Sequence, residues 1–371
     1  MRDEIKEQVE KEQRLLDEIR RLKQLLEQQS KPSHVTSSHV QQLPTYLSDD
    51  TLEVHPNEYS KTEEIDSGNF ARVYKGKHTK SNRDVVIKQI KGAAANVNTE
   101  QKFKSEVSKI RLLKFHPGTP KIEAFYKVDK DMCVVFQELS GLSVRHVMDE
   151  NANTSKVPKN VPSLLPSELL KLTVRLIETV HFVHSTGIIH YDIKPDNILL
   201  CNSEYGVQLI DFGSAGFVSQ TASTSNASTP HYASPEKLDD VVFEKVRREK
   251  KNMSKVDVWS LGATILDVCC SALLVTDMYD DYDDINPYFT AYSLRIGFVT
   301  LDDDQKVPWE LDLILSKYFE VRPEAKIVWE SVDDDIKDII RVCLTRDISQ
   351  RPFVHDIIQR QSFQRLRSKL W

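Results

Sequence analysis

The side chains best suited to chemistry lie in two short segments in the second half of the chain. HYDIKPDNILL, residues 190–200, carries Asp192, Lys194 and Asn197, and VQLID ends at Asp211 just before Phe-Gly. A phosphoryl group in transfer spreads negative charge over its peripheral oxygens, which metal ions and a lysine can neutralise. Carboxylate and amide oxygens are ligands that suit magnesium. The residues therefore predict magnesium-dependent phosphoryl transfer, with Asp192 receiving the proton of an acceptor hydroxyl.

A loop and a strand must position these groups. Four residues separate Asp192 from Asn197, so one short loop can aim the carboxylate at a hydroxyl and the amide oxygen at a metal. Val207, Leu209 and Asp211 alternate in VQLID, and alternate residues of a strand share one face. The Asp211 carboxylate is therefore predicted to emerge where the strand meets solvent, as a second metal ligand.

Two upstream segments carry a further lysine and a further glutamate. DVVIKQI predicts a strand on which Lys88 shares a face with Val86 and Ile90. QKFKSEVSKIRLL predicts a helix whose apolar stripe includes Glu106, and a carboxylate on an apolar face needs a cation. The apolar members of that stripe are Phe103, Val107, Ile110 and Leu113.

In this order the segments resemble the eukaryotic protein kinase family, in its serine/threonine form. The family signature has a glycine-rich loop, a strand lysine, a helix glutamate, a catalytic loop, DFG and APE, and each has a counterpart here. Further matches are ASPE at 233–236, DVWSLG at 257–262, and Arg351 followed by proline. The resemblance covers about residues 59–365. It implies a two-lobed α+β fold, with an antiparallel β-rich N-lobe and a mainly helical C-lobe.

The resemblance also implies an ATP- and Mg²⁺-dependent transfer of the γ-phosphoryl group to serine or threonine hydroxyls of a protein substrate. Lys88, paired with Glu106, would orient the phosphates, while Lys194 would steady the moving group. Asp192 would be the proton acceptor, and Asn197 and Asp211 would hold magnesium. Nucleotide contacts are assigned to Ile65, Asp66, Ser67, Gly68, Asn69, Phe70, Ala71, Arg72, Val73, Val86, Lys88, Gln137, Glu138, Leu139 and Leu199.

Acceptor class and structural roles follow from the same comparison. Lys194 and Thr229, the latter in STP, resemble the serine/threonine type rather than the tyrosine type. Asp257 is expected to cap a helix and anchor the backbone of the catalytic loop, and His190 to be a packed loop residue. Glu236 and Arg351 are expected to pair for structural reasons.

Two departures from the family pattern bear on activity. Of the three glycines of the phosphate loop only Gly68 remains, with Asp66 and Ala71 at the other positions. Glycine allows close backbone approach to phosphates, and Asp66 brings a like charge unless its side chain turns outward. Tyr191 replaces the arginine that pairs with a phosphorylated activation segment. Activity is therefore expected to be constitutive or controlled by a partner, and a weakly active scaffold or pseudokinase is the alternative.

The chain divides by composition into three parts. Residues 1–29 carry apolar heptad positions interrupted by polar residues, which predicts a coiled coil for a homodimer or a partner helix, or a lone amphipathic helix. Residues 30–56 read as a polar linker. The catalytic region is predicted over 57–365, with the N-lobe at 57–136, the hinge at 137–141 and the C-lobe at 142–365. The stretch 219–229 is rich in hydroxyls, as a modification site or a flexible polar loop.

Composition limits the class of protein and its compartment. A chain of 371 residues with a net charge of -6 is not expected to bind nucleic acid in general. Its five cysteines have no C-x-x-C spacing, which suits a reducing compartment. No signal-like start is present, and no apolar run is long enough to span a membrane. An intracellular protein, cytoplasmic or nuclear, is therefore expected.

Overall fold

The structure, a computed structural model, describes most of the region that carries the motifs. The described ranges are 54–68, 71–92, 97–137, 141–153, 164–218, 229–238, 240–269, 311–312, 315–316, 319 and 323–370. The predicted coiled coil, nearly all of the linker and most of the hydroxyl-rich stretch lie outside the described residues. Four predicted nucleotide contacts, Asn69, Phe70, Glu138 and Leu139, lie outside them as well.

A five-stranded antiparallel sheet forms the first lobe. Its strands follow the order β1-β2-β3-β5-β4 in space, so β5 lies between β3 and β4. On β3 the side chains of Val85 and Ile87 are buried, while Val86 and Lys88 occupy the other face. The strands are β1 (Tyr59–Ser67), β2 (Ala71–His78), β3 (Asp84–Ile90), β4 (Ile122–Val128) and β5 (Asp131–Gln137).

One helix, α1 (Val97–Leu112), packs against this sheet through the predicted stripe. Phe103, Val107 and Ile110 are almost fully buried, and Glu106 lies on the same face with only 6% of its surface exposed. The rings of Phe103 and Phe125 meet edge to face, with 6.3 Å between their centroids. The helix therefore brings a carboxylate to the inner face of the sheet.

Helices dominate the second lobe, and they enclose short strands that carry the catalytic loop. The helices are α2 (Val144–Asn153), α3 (Pro166–Ser185), α4 (Asp240–Glu249), α5 (Lys255–Cys269), α6 (Pro323–Ser331), α7 (Asp334–Cys343), α8 (Val354–Gln359) and α9 (Gln361–Ser368). The strands are β6 (Gly141–Ser143), β7 (Ile188–Ile189), β8 (Ile198–Cys201), β9 (Val207–Leu209) and β10 (Gly216–Phe217). β6, β8 and β9 form one sheet, and β7 pairs with β10.

The central helix α5 organises the core of this lobe. Val258, Leu261 and Ile265 have no exposed surface, so the helix is surrounded by its neighbours. A Cβ atom at Gly262 would lie 2.5 Å from Cβ of Cys343 on α7, which explains why glycine stands at this crossing. The two-lobed α+β fold expected from the sequence is confirmed. The last strand of the N-terminal sheet ends at Gln137, at the start of the predicted hinge.

Candidate active site

Lys88 joins the sheet to helix α1 and to the segment after β9. Its Nζ atom lies 2.8 Å from Oε1 of Glu106 and 2.8 Å from Oδ1 of Asp211. Burial alone would lower the pKa of Lys88, but the charges of Glu106 and Asp211 outweigh it and raise the pKa. A charged ammonium is therefore held between two carboxylates. Its contacts with described residues account for two of its three N–H donors.

Asp211 adopts a backbone conformation that strand alternation did not predict. Strand β9 ends at Leu209, and Asp211 follows with φ of +61°, in the left-handed region. Its carboxylate also accepts the N–H of Gly213 at 3.3 Å. Burial would raise the pKa of Asp211, but Lys88 reverses this effect and lowers it. The side chain is 47% exposed, so an ionised carboxylate remains accessible to a metal ion.

Asp192 lies at the centre of a second cluster. Its Oδ2 atom is 3.0 Å from Nδ2 of Asn197 and 3.0 Å from Nζ of Lys194. Its Oδ1 atom accepts both the N–H and the hydroxyl of Thr229, each at 3.2 Å. Nζ of Lys194 donates to the same hydroxyl at 2.6 Å. A hydroxyl group thus lies where it contacts both the carboxylate and the lysine.

Backbone pairing brings Asn197 close to the Asp211 segment. Ile198 opposes Leu209 in the β8–β9 ladder, and the carbonyl of Asn197 accepts the N–H of Ile210 at 2.9 Å. The side-chain Nδ2 of Asn197 donates to the carbonyl of Asp192 at 2.8 Å, as well as to its carboxylate. With the NH₂ group directed to Asp192, the amide oxygen is the atom that could serve as a metal ligand.

Asp257 and His190 accept hydrogen bonds from the backbone of the catalytic loop. The Asp257 carboxylate accepts the backbone N–H of His190 at 2.7 Å and that of Tyr191 at 2.8 Å. It also pairs with Nε2 of His184 at 2.9 Å. Asp257 lies within the first turn of α5 rather than at the predicted capping position before the helix, whereas these bonds match the predicted anchoring of the loop. Burial would raise its pKa, but the bond from His184 and the nearby histidines outweigh burial and lower it.

The His190 ring links this loop to the segment that contains Ile210 and Asp211. Its Nδ1 lies 3.3 Å from the N–H of Asp192, and its Nε2 lies 3.0 Å from the carbonyl of Ile210. Burial lowers the pKa of His190, which favours the neutral imidazole that accepts at Nδ1 and donates at Nε2. The ring also meets Phe212 edge to face. His190 is thus a packed loop residue in a structural position.

Most of the predicted nucleotide-binding residues that the structure describes lie on β1, β2 and β3. Gly68 closes the turn between β1 and β2, since its N–H donates to the carbonyl of Ala71 at 2.8 Å. Asp66 is exposed on β1 opposite Val73, which in turn is opposite Lys88. Ser67 opposes Arg72 in the same pairing, and Ile65 is 45% exposed. Val86 on β3 is half-buried, Gln137 at the end of β5 is exposed, and Leu199 on β8 in the second lobe is buried.

Sequence reasoning missed two buried contacts near the site. Lys109, three residues after Glu106 on the same helix, donates to the carbonyl of Ala215, and burial lowers its pKa to about 8. Arg145 on α2 contacts the carboxylate of Asp267 on α5 at 3.1 Å. The i, i+3 spacing from Glu106 was the one sequence signal for Lys109, because residues three apart share a helix face. No spacing connects Arg145 with Asp267.

The model of the protein kinase domain matches residues 59–363 of this chain. The chain belongs to the protein kinase family. It is 30% identical to human serine/threonine-protein kinase D3 over 227 residues, which is 60% of this chain and 23% of that protein. It is 24% identical to myosin light chain kinase A of Dictyostelium discoideum over 296 residues, which is 79% of this chain and 83% of that protein.

A third relative is the probable serine/threonine-protein kinase fhkA of Dictyostelium discoideum. It is 28% identical over 263 residues, which is 64% of this chain and 41% of that protein. The chain thus spans about a quarter of the length of the kinase D relative and more of the other two. Among the described residues of the kinase, no helix is long and apolar enough to cross a membrane.

Proposed function

We propose that this kinase is an active serine/threonine kinase that uses ATP and Mg²⁺. The observation that carries the proposal is the position of the Lys88 ammonium, 2.8 Å from carboxylates on two different elements. Because two of its donors hold Glu106 and Asp211, the lysine is oriented before a nucleotide binds. Its third donor can then serve a phosphate oxygen, which is the role that phosphoryl transfer requires of it.

Asp192 is proposed to accept the proton of the substrate hydroxyl. The hydroxyl oxygen then bonds to the γ-phosphorus, and the bond from that phosphorus to the β–γ bridging oxygen breaks to release ADP. The hydroxyl of Thr229, within 3.2 Å of the Asp192 carboxylate, shows that an aliphatic hydroxyl fits there. Lys194 lies on the same hydroxyl and would steady the transferred phosphoryl group. This geometry supports serine or threonine as acceptor.

Asn197 and Asp211 are proposed to hold magnesium. A half-exposed carboxylate and an amide oxygen are hard donors, and Mg²⁺ is commonly held by one or two carboxylates together with substrate phosphates. When bound, the ion would neutralise charge on the phosphate oxygens. The residues present therefore fit the ion that the family implies. They fit a site that the nucleotide completes, rather than a cage made by the protein alone.

The four described cysteines support an intracellular location, which we propose for this kinase. Cys133, Cys201, Cys269 and Cys343 form no disulfide among the described residues, and cysteines without disulfides suit a reducing compartment. A protein substrate, and a homodimer or a partner helix through residues 1–29, are part of the same proposal. A homodimer through those residues would lose mass in light scattering when they are deleted.

Labelled ATP tests the proposal directly. The full chain is incubated with Mg²⁺ and a generic basic protein, beside Asp192→Ala, Asp211→Asn and, as control, Asp84→Asn. Asp84 is an exposed carboxylate at the start of β3. Removing the proton acceptor should lower the rate by about 10²–10⁴-fold, and the label should reside on serine or threonine. The control should keep the rate of the unaltered chain.

Three outcomes would contradict the proposal. Equal incorporation by the unaltered chain, Asp192→Ala and Asp211→Asn would remove the catalytic assignment. Label on tyrosine would remove the acceptor class. An unaltered chain that gains thermal stability with ATP and Mg²⁺ but transfers no label would be a pseudokinase, which is the alternative that Asp66, Ala71 and Tyr191 suggest.

A further inference from the structure

Lys237 is a buried lysine that the proposed mechanism does not use. It follows Glu236 in a short 3₁₀ turn, Pro235–Leu238, and only 7% of its surface is exposed. Its Nζ atom donates to the backbone carbonyl of Tyr191 at 2.8 Å. The same atom lies 5.0 Å from the centroid of the Tyr191 ring, within the range of a cation–π contact. The ammonium thus contacts both the backbone and the ring of one residue.

Tyr191 needs such support because of its backbone. Its φ is +66°, a left-handed conformation that is costly for a side chain of this size and persists where neighbours enforce it. Its N–H is held by Asp257 at 2.8 Å, and its carbonyl is held by Lys237. The next residue in the chain is Asp192. The peptide group that leads into the proposed proton acceptor is therefore fixed by the lysine.

The Tyr191 ring is anchored in a separate apolar cluster. Only 5% of the residue is exposed, so it cannot act as a surface group for an incoming ligand. Helix α4 contributes Phe243 and Val246 to this cluster, which ties the ring to a segment just after Lys237. The other buried members are Ile189, Met253 and Val256. Where most family members have an arginine, this chain has a residue packed into its own core.

The charges around Lys237 favour its ammonium form at neutral pH. Burial lowers its pKa to about 8, and the carboxylates of Asp257 and Asp192 act in the opposite direction. Arg247 on α4 also acts on this pair, since its charge lowers the pKa of the Tyr191 hydroxyl against burial and Asp257, which raise it. Since the folded pKa lies below the ordinary value for lysine, the charged form is present below about pH 8 and lost above it.

We propose that Lys237 is a positioning residue for phosphoryl transfer, which holds the carbonyl and ring of Tyr191 and thereby sets the orientation of Asp192. The proposal rests on the function proposed above. In this role Lys237 stabilises the catalytic loop from within the lobe, where other family members use an arginine paired with a phosphorylated segment. Lys237 is buried and contacts Tyr191, so its removal should change the catalytic rate and not the affinity for ATP.

Three variants of the full chain test this role. Lys237→Met removes the charge, Lys237→Arg keeps it, and Lys245→Met removes an exposed lysine from α4 as the matched control. Lys237→Met removes a hydrogen bond from a charged group, and the lost free energy should lower kcat by about 10-fold or more. The KM for ATP should stay within about twofold of the value for the unaltered chain. Lys237→Arg should recover most of kcat, and Lys245→Met should match the unaltered chain.

The pH profile supplies a readout that simple loss of stability would not change. In the unaltered chain kcat should fall as pH rises through about 8, because Lys237 loses its proton there. In Lys237→Arg this alkaline fall should move to higher pH, because guanidinium stays charged. If Lys237→Met does not fold, as judged by circular dichroism, the Lys237→Arg profile alone decides the question.

The results distinguish this inference from the proposed function. An active unaltered chain with unchanged kcat in Lys237→Met, or with the same alkaline fall in Lys237→Arg, overturns the role of Lys237 and leaves the kinase assignment intact. An unaltered chain that transfers no phosphate overturns both. A rise in the KM for ATP at constant kcat would place Lys237 in nucleotide binding and would also overturn the positioning role.

Discussion

Two ion pairs of the same chemical type serve different parts of this kinase. Lys88 and Glu106 approach to 2.8 Å near the site, and Arg351 and Glu236 approach to 2.7 Å within the second lobe. The first pair is 18% and 8% exposed, and the second is 0% and 4% exposed. Lys88 also forms an ion pair with Asp211, whose side chain is half exposed. The first pair is thus open to a ligand, and the second is closed.

The donors of the closed pair are fully committed to the protein. Arg351 gives two N–H groups to Glu236 and the other three to the carbonyls of Thr345, Lys255 and Arg346. Its guanidinium also lies 5.0 Å from the ring centroid of Trp259. All five of its donors are used, so the group has a structural role. An ion pair contributes to chemistry where part of its hydrogen-bonding capacity remains for a substrate.

The largest effect is expected at the closed pair. Arg351→Ala leaves the Glu236 carboxylate buried without a cation, which should lower the free energy of unfolding by about 3–5 kcal/mol. Urea denaturation followed by circular dichroism measures this loss. The double variant Glu236→Leu with Arg351→Met should be more stable than Arg351→Ala, since no unpaired charge is buried. If Arg351→Ala were as stable as the unaltered chain, burial would not determine how much the two ion pairs contribute to stability.

The open pair should respond in activity more than in stability. Lys88→Met removes the charge aimed at the phosphates, so the transfer rate should fall by about 10²–10³-fold. The free energy of unfolding should fall less than in Arg351→Ala, because Lys88 and Asp211 are nearer to solvent. Kinase assays and urea denaturation of the same preparation test both parts. A stability loss as large as that of Arg351→Ala would contradict the contrast.

A largely exposed ion pair extends the comparison to the surface of the protein. Lys75 and Glu63 approach to 2.8 Å, but both side chains are 60% exposed. Lys75→Ala should therefore change the free energy of unfolding by at most about 1 kcal/mol and leave activity unchanged, because water and salt screen the pair. Thermal denaturation at low and high salt measures the change. A loss of several kcal/mol in Lys75→Ala would contradict the expectation that an exposed ion pair contributes little to the free energy of unfolding.

Local patterns predicted the elements that carry the site. The stripe around Glu106 and the alternation around Lys88 lead to the observed helix and strand, because burial periodicity is a local property of each element. The loop from Asp192 to Asn197 is short enough that the chain itself keeps the two residues together. The alternation extended the strand to Asp211, but β9 ends at Leu209 and Asp211 has a positive φ, while its side chain is half exposed.

Local sequence patterns did not predict the contacts between segments that are far apart in the sequence. Lys237 meets Tyr191 across 46 residues, and Lys109 meets Ala215 across 106. Both lysines would be assigned to the surface from their type alone, because lysine is rarely buried unless it is paired. Neither neighbouring sequence contains a feature that identifies a backbone carbonyl as the partner.

By itself, the sequence determined the family, the two-lobed fold and the residues available for phosphoryl transfer, since these depend on residue type, order and short-range spacing. Only the tertiary structure decided which of those charged groups are open and which are closed. It also decided that Tyr191 is packed into an apolar cluster and that a lysine supports its strained backbone. These features depend on burial and on the direction of side chains from separate elements, and both arise when the chain closes on itself.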